Sequence, residues 1–204
     1  MAQNFREDLV KALWIETAMQ AALQSAGHAS QKMDYRIFPY DLTALIHDKR
    51  KTFEVKALDW QQNGYWQAVA EIWKNDSKTQ RPQWIQHNDE IDIMCIVNMA
   101  TYEAHFFDAI KLRDRFLERE LQGDFMNIAH AGAGHRGDSP GYIFKFEYGC
   151  KEHGAMTSPI NLLPALYEAG NRINVDLDKQ SKSVRAIWKK VKEAQLNALP
   201  PSEE

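Results

Sequence analysis

Residues 41–58 alternate polar and apolar side chains on either side of a polar break, and this constrains the chain more than any other feature. Asp41 to Ile46 and Thr52 to Leu58 are two short strand-like runs, and His47-Asp48-Lys49-Arg50 between them is a turn, so the segment is expected to fold as a β-hairpin. Side chains along a strand alternate between faces. Asp41, Thr43 and Leu45 therefore share one face of the first strand, and Thr52, Glu54 and Lys56 share one face of the second. Leu42, Ala44 and Ile46 back onto Phe53, Val55 and Ala57, which gives an apolar reverse able to pack on a core. With the turn centred between Asp48 and Lys49, Asp41 is expected opposite Lys56 and Thr43 opposite Glu54.

Two carboxylates and an ammonium converging on one surface suit a hard divalent cation. Mg2+ (or Mn2+) takes oxygen ligands and keeps several waters, so Asp41 and Glu54 suffice, with the Val55 carbonyl as a further oxygen. Lys56 is expected to assist the attacking water or to neutralise charge building on a phosphoryl group. The acid-x-Lys tripeptide alone says little. With 28 acids and 15 lysines, about two matches arise by chance, and Asp76-Ser77-Lys78 is another. A solvated sheet face with a favourable charge pair has the same pattern. The second acid, the shared face and the apolar reverse set the hairpin apart.

Phe38-Pro39-Tyr40-Asp41 followed by Thr52-Phe53-Glu54-Val55-Lys56 resembles the signature of the PD-(D/E)XK nuclease superfamily. The similarity is nearest to Holliday-junction resolvases and the restriction-endonuclease-like core. Twelve residues separate Asp41 from Glu54, within the range of that family, although Tyr40 intervenes between Pro39 and Asp41. The resemblance covers about residues 5–121 and implies a metal-dependent nuclease acting on DNA. It also implies a glutamate on the helix before the sheet. Glu16 fits that place, on the helical side of Leu9, Leu13 and Leu23, where it would help to hold a metal or a water. A nuclease-fold module that binds nucleic acid or a protein partner without catalysis is the alternative, and an unrelated hydrolase of small phosphate esters is a third.

The rest of the chain reads as mixed α/β, a mixed central sheet flanked by helices. Helices are expected at about 5–26, 64–75, 109–121, 162–169 and 183–199. Strands are expected near 35–38, 91–97, 105–107 and 142–148, and the Gly-rich stretch 123–141 as a long loop. Residues 1–122 are expected to form the nuclease-like core. Residues 123–204 add the loop, a strand and C-terminal helices packed on the same domain.

The 204 residues carry 25 basic and 28 acidic side chains, a net charge of -3, which excludes a passive, charge-driven nucleic-acid binder. A local patch is another matter. Lys179 to Glu193 holds six basic residues and one acid, with Val184, Ile187, Trp188 and Val191 as its apolar stripe. Lys182, Arg185, Lys189, Lys190 and Lys192 are therefore candidates for a phosphate backbone, and His135 and Arg136 in the glycine loop are candidates for the same role. A lysine-rich solvated helix face has the same composition. Neither His130 nor His135 has further ligands at zinc-like spacing.

Two cysteines, Cys95 and Cys150, are no disulfide framework, and no apolar run approaches a membrane span. A reducing, cytoplasmic setting, in a bacterial or phage-infected cell, is expected. The compact size fits a phage or mobile-element protein. A homodimer fits the cutting of two strands by two copies of one site.

Overall fold

A computed structural model describes residues 2–34, 36–58, 61–62, 65–71, 83–86, 89–123, 126–128, 139–145 and 155–198. The first helix, α1, runs Ala2–Ser25. It leads through β1 (Ser30–Lys32), β2 (Leu42–Ile46) and β3 (Lys49–Leu58) to β4 (Gln61–Gln62) and β5 (Tyr65–Glu71). After the short α2 (Gln83–Gln86) come β6 (Ile93–Asn98), β7 (Glu103–Asp108), α3 (Ala109–Leu121), β8 (Met126–Ile128) and β9 (Ser139–Lys145). The chain continues with β10 (Ile160–Asn161), α4 (Leu163–Arg172), a 3-10 turn (Leu177–Lys179) and α5 (Lys182–Ala198).

The class is mixed α/β. A six-stranded sheet has the order β1-β2-β3-β6-β7-β10, with β3 and β6 parallel and every other pair antiparallel. Helices cover both faces. Phe53, Val55, Ile93, Cys95 and Val97 project into one core with Trp14, Met19, Leu166, Val184 and Trp188 of α1, α4 and α5. Met94, Ile96 and Phe107 project into the other with Leu112 and Phe116 of α3.

The first core is closed by aromatic packing. Trp14 Nε1 donates to the Leu166 carbonyl at 2.8 Å, and its ring meets Trp188 edge-on at 5.5 Å between centroids. Tyr167 stacks on the same Trp188 ring at 5.9 Å. Glycine is required at position 170, because a Cβ there would come within 2.5 Å of the Trp188 ring. Truncating Trp14 would remove a fully buried side chain, a loss of about 3–5 kcal/mol.

Several expectations are corrected. Residues 65–71 form strand β5, not part of the helix that their spacing predicts. Tyr65-Trp66-Gln67-Ala68-Val69 satisfies both periods, and the distant pairing Val69↔Ile143 and Ala68↔Phe144 selects the extended form. The expected loop 123–141 contains β8 and the start of β9, which complete a four-stranded sheet ordered β4-β5-β9-β8. The strand expected at 35–38 is a turn at Arg36 and Ile37. The Asp34 carboxylate accepts from the Arg36 N–H and guanidinium, and the Asp34 carbonyl accepts from Ile37 and Phe38 N–H. On α1 the buried stripe is Val10, Trp14, Ile15, Ala18, Met19 and Leu23, whereas Leu9 is 46% exposed. The stripe is rotated from the expected one because the two large side chains, Trp14 and Ile15, take the core-facing arc.

Among the described residues no helix is long and apolar enough to cross a membrane. Cys95 is a buried free thiol whose pKa is pushed up by burial, then by Asp41. Cys150, His130, His135, Arg136 and Asp76-Ser77-Lys78 lie outside the described residues.

Candidate active site on the β2–β3 hairpin

The hairpin forms, with a tighter turn than expected. His47 and Asp48 alone span it, with φ of 48° and 60°, the backbone of the two-residue turns whose twist matches paired strands. The register follows as Ile46↔Lys49, Thr43↔Thr52 and Leu42↔Phe53. Thr43 therefore faces Thr52, not Glu54, and Asp41 does not lie opposite Lys56. The shift is two residues, an even number, so the faces survive it.

Three backbone and side-chain bonds fix Asp41. Its N–H donates to the Phe53 carbonyl at 2.8 Å, although Phe53 already pairs with Leu42, so two residues face one as in a β-bulge. Its carbonyl accepts from Met33 N–H at 2.8 Å. Its carboxylate Oδ2 accepts from Val55 N–H at 2.7 Å. A bulge at this point turns the Asp41 side chain across the end of β2 towards β3.

Glu54 and Lys56 project from the same face of β3, in register with Met94 and Ile96 of β6. Lys56 Nζ donates to Glu54 Oε1. The glutamate is buried, whereas the lysine side chain keeps 52% of its surface exposed. The parallel register that places them is stapled two residues before Glu54. Lys51 Nζ donates to Asp92 Oδ1 at 2.8 Å, Thr52 N–H donates to Asp92 Oδ2 at 3.0 Å, and Asp92 N–H donates to the Thr52 hydroxyl at 2.9 Å.

Glu16 approaches from α1, at the border of the buried stripe, with a side chain 16% exposed. Lys32 of β1 reaches it at 2.6 Å. The two sets meet electrostatically. Burial raises the Glu54 pKa and Asp41 and Glu16 add to the rise, which Lys56 opposes. Burial also raises the Glu16 pKa, opposed by Lys32 and supported by Asp41. Desolvation works against the Lys56 ammonium, but Glu54, Asp41 and Glu16 outweigh it and hold its pKa above the ordinary lysine value. The structure thus brings Glu16, Asp41, Glu54 and Lys56 into one neighbourhood, with Val55 between Glu54 and Lys56.

The donor set suits a hard cation. Three carboxylates lie near two ammonium groups, which leaves an excess of negative charge around a buried Glu54 and a half-exposed Lys56. Val55 N–H and Lys56 each engage one carboxylate oxygen, and the second oxygens of Asp41 and Glu54 take no hydrogen bond among the described residues. No group of three or more His, Cys, Asp or Glu forms a ready-made cage among those residues, so a cation here would rest on one or two carboxylates and water, as Mg2+ does.

Sequence reasoning missed Lys32 and Asp92. Lys32 sits in a three-residue strand too short for a periodic signal, and Asp92 acts on a strand 40 residues earlier in the chain. On α5 the apolar stripe is as expected, with Val184, Trp188 and Val191 buried. Lys182, Arg185, Lys189 and Lys190 are exposed. Lys189 has Glu193 at 3.7 Å on the same helix, and Lys192 is the less exposed of the two. Its ammonium pairs with Asp178 at 3.0 Å and lies 5.2 Å from the Trp188 ring centroid.

No family model and no curated protein matches the chain. A solved structure of a bacterial homing endonuclease aligns with 88% of this chain and 92% of its own, at 10% identity and a TM-score of 0.40. That score is too low to support a shared fold.

Proposed function

We propose that the chain is a metal-dependent nuclease of the PD-(D/E)XK type that hydrolyses DNA phosphodiester bonds. The observation that carries this reading is the junction of β2 and β3. There the Asp41 carboxylate is seated on Val55 N–H, beside a buried Glu54 already bonded to Lys56. In this reading Asp41 and Glu54, with the Val55 carbonyl, hold Mg2+ or Mn2+. Such an ion supplies Lewis acidity and lowers the pKa of water. Glu16 accepts a hydrogen bond from the attacking water and orients it. Lys56, held cationic by its acidic neighbours, stabilises the charge that builds on the phosphoryl oxygens as the P–O bond breaks. Such a preorganised cation is worth about 10²–10³ in rate. The exposed cations of α5 (Lys182, Arg185, Lys189 and Lys190) provide a phosphate-binding surface.

The test is a cleavage assay with Mg2+ or Mn2+ on duplex, single-stranded and four-way-junction DNA, beside EDTA and Glu54→Ala controls. The expected result is cleavage abolished in both controls. Undiminished cleavage by the Glu54→Ala protein would overturn the assignment. The exposed cations of α5, which need no hairpin chemistry to hold a phosphate backbone, support a second reading, a DNA-binding module without catalysis. Calorimetry showing DNA uptake without Mg2+ or Mn2+ uptake would select it.

A further inference from the structure

Glu16 is the one carboxylate of the site that the hairpin does not hold. Its orientation comes from β1. Ser30 Oγ donates to the Gln20 carbonyl at 3.1 Å, and the Gln20 and Gln24 side-chain amides each donate to the Ser30 carbonyl at 3.3 Å. Lys32, two residues on, lies on the same face of β1 as Ser30. Glu16 lies one helical turn before Gln20. The strand repeat of about 6.6 Å nearly matches the helical pitch of about 5.4 Å, so fixing Ser30 on Gln20 delivers the Lys32 ammonium to Glu16 at 2.6 Å. The other side of β1 is equally fixed. Lys32 pairs with Leu42, and Met33 N–H bonds to the Asp41 carbonyl at 2.8 Å. The residue that pulls on Glu16 thus sits on a strand bonded to the segment that carries Asp41. The pair is largely desolvated, with side chains 27% and 16% exposed.

We infer that Lys32 is a positioning residue of the site: its ammonium holds the Glu16 carboxylate beside, not on, the cation held by Asp41 and Glu54. Glu16 is thereby kept for the attacking water. This rests on the nuclease reading. Removing Lys32 leaves three carboxylates against one ammonium and frees Glu16 to swing inward as a third ligand. Metal affinity and turnover then move in opposite directions. A merely structural role for Lys32 would loosen the site and lower both.

The experiment titrates the full chain with Mn2+ by calorimetry and measures single-turnover cleavage of DNA. The variants are Lys32→Met, Lys32→Arg, Glu16→Gln and the Lys32→Met/Glu16→Gln pair, with a thermal melt as fold control. Expected for Lys32→Met is Mn2+ binding several-fold tighter and cleavage at least about tenfold slower. Lys32→Arg, which keeps the charge, returns both towards wild type. In the Glu16→Gln background, the Lys32→Met change alters Mn2+ affinity less than twofold. Three results would overturn the inference: weaker Mn2+ binding together with slower cleavage in folded Lys32→Met protein, no change in either, or an equal affinity gain in the Glu16→Gln background. Wild-type protein that neither binds Mn2+ nor cleaves DNA would remove the nuclease reading and this inference with it. The expected affinity shifts in a protein that cuts no DNA would overturn the nuclease reading and the role of Glu16 towards water, and leave Lys32 as the residue that keeps Glu16 off the cation.

Discussion

Glu54 on β3 keeps 5% of its surface exposed and is bonded to Lys56, whereas Lys182, Arg185, Lys189 and Lys190 on α5 stand in solvent. A charge taken out of water must be matched group by group, so each partner in the hairpin site has a large individual effect. Exposed charges are screened within about 8–10 Å at ordinary ionic strength, and each is worth little alone. They act as a sum, through the counterions they displace from a polyanion. Under the proposed function, the hairpin would act at one bond and α5 would hold a backbone without reading it.

Substitutions can break this division of labour. The largest expected effect is at Asp41. Asp41→Asn keeps the shape and the acceptor for Val55 N–H, but removes the charge, and cleavage is expected to fall at least about a hundredfold with DNA affinity at low salt unchanged. Parallel loss of affinity and rate would show that Asp41 holds the substrate rather than the cation.

Next comes the joint replacement of Lys182, Arg185, Lys189 and Lys190 by glutamine. It is expected to flatten the dependence of log affinity on log salt by up to about 3–4, with the rate on saturating DNA retained. An unaltered salt slope would move the phosphate contacts elsewhere. Lys192 is left out of that set because it is the least exposed of the five, held by Asp178 at 3.0 Å and set over the Trp188 ring.

The smallest expected effect is on stability, without metal or DNA. The Glu54 pKa is raised above its ordinary value of 4.5, so in the window above 4.5 the folded protein holds a proton that the unfolded chain has released. That contribution stabilises at low pH and is lost as the pH rises through the folded value. Glu54→Gln removes the titration. The stability of the variant relative to wild type should thus grow from pH 4.5 upward, by at most about 1.4 kcal/mol per pH unit, and then level off. Denaturant midpoints at several pH values measure this, and a difference that shrinks with pH would contradict the burial argument.

The hairpin was legible because its signal is local. Alternation separates Glu54 and Lys56 from Phe53 and Val55, and no distant residue can reverse that parity. Its register was not, because a four-residue polar break does not say which two residues adopt positive φ. Helix α3 was read at its true limits, since its periodic face begins directly after an N-capping Asp108, whose carboxylate accepts from Lys111 N–H. The segment 65–71 was misread for the opposite reason. Its composition satisfies two periods, and the partner that decides between them, β9, lies some 70 residues further along the chain.

By itself the sequence determined the pattern of faces: which residues of β3 look into the core, which side of α5 is apolar, and that two acids and a lysine share a surface. These follow from side-chain periodicity, which the chain carries wherever it folds. Only the tertiary structure decided the meeting of α1 with β1, the bulge that seats Asp41 on Val55, and the Asp92 staple that sets β3 against β6. Each depends on a hydrogen bond or ion pair between segments whose separation along the chain encodes nothing about their distance in space.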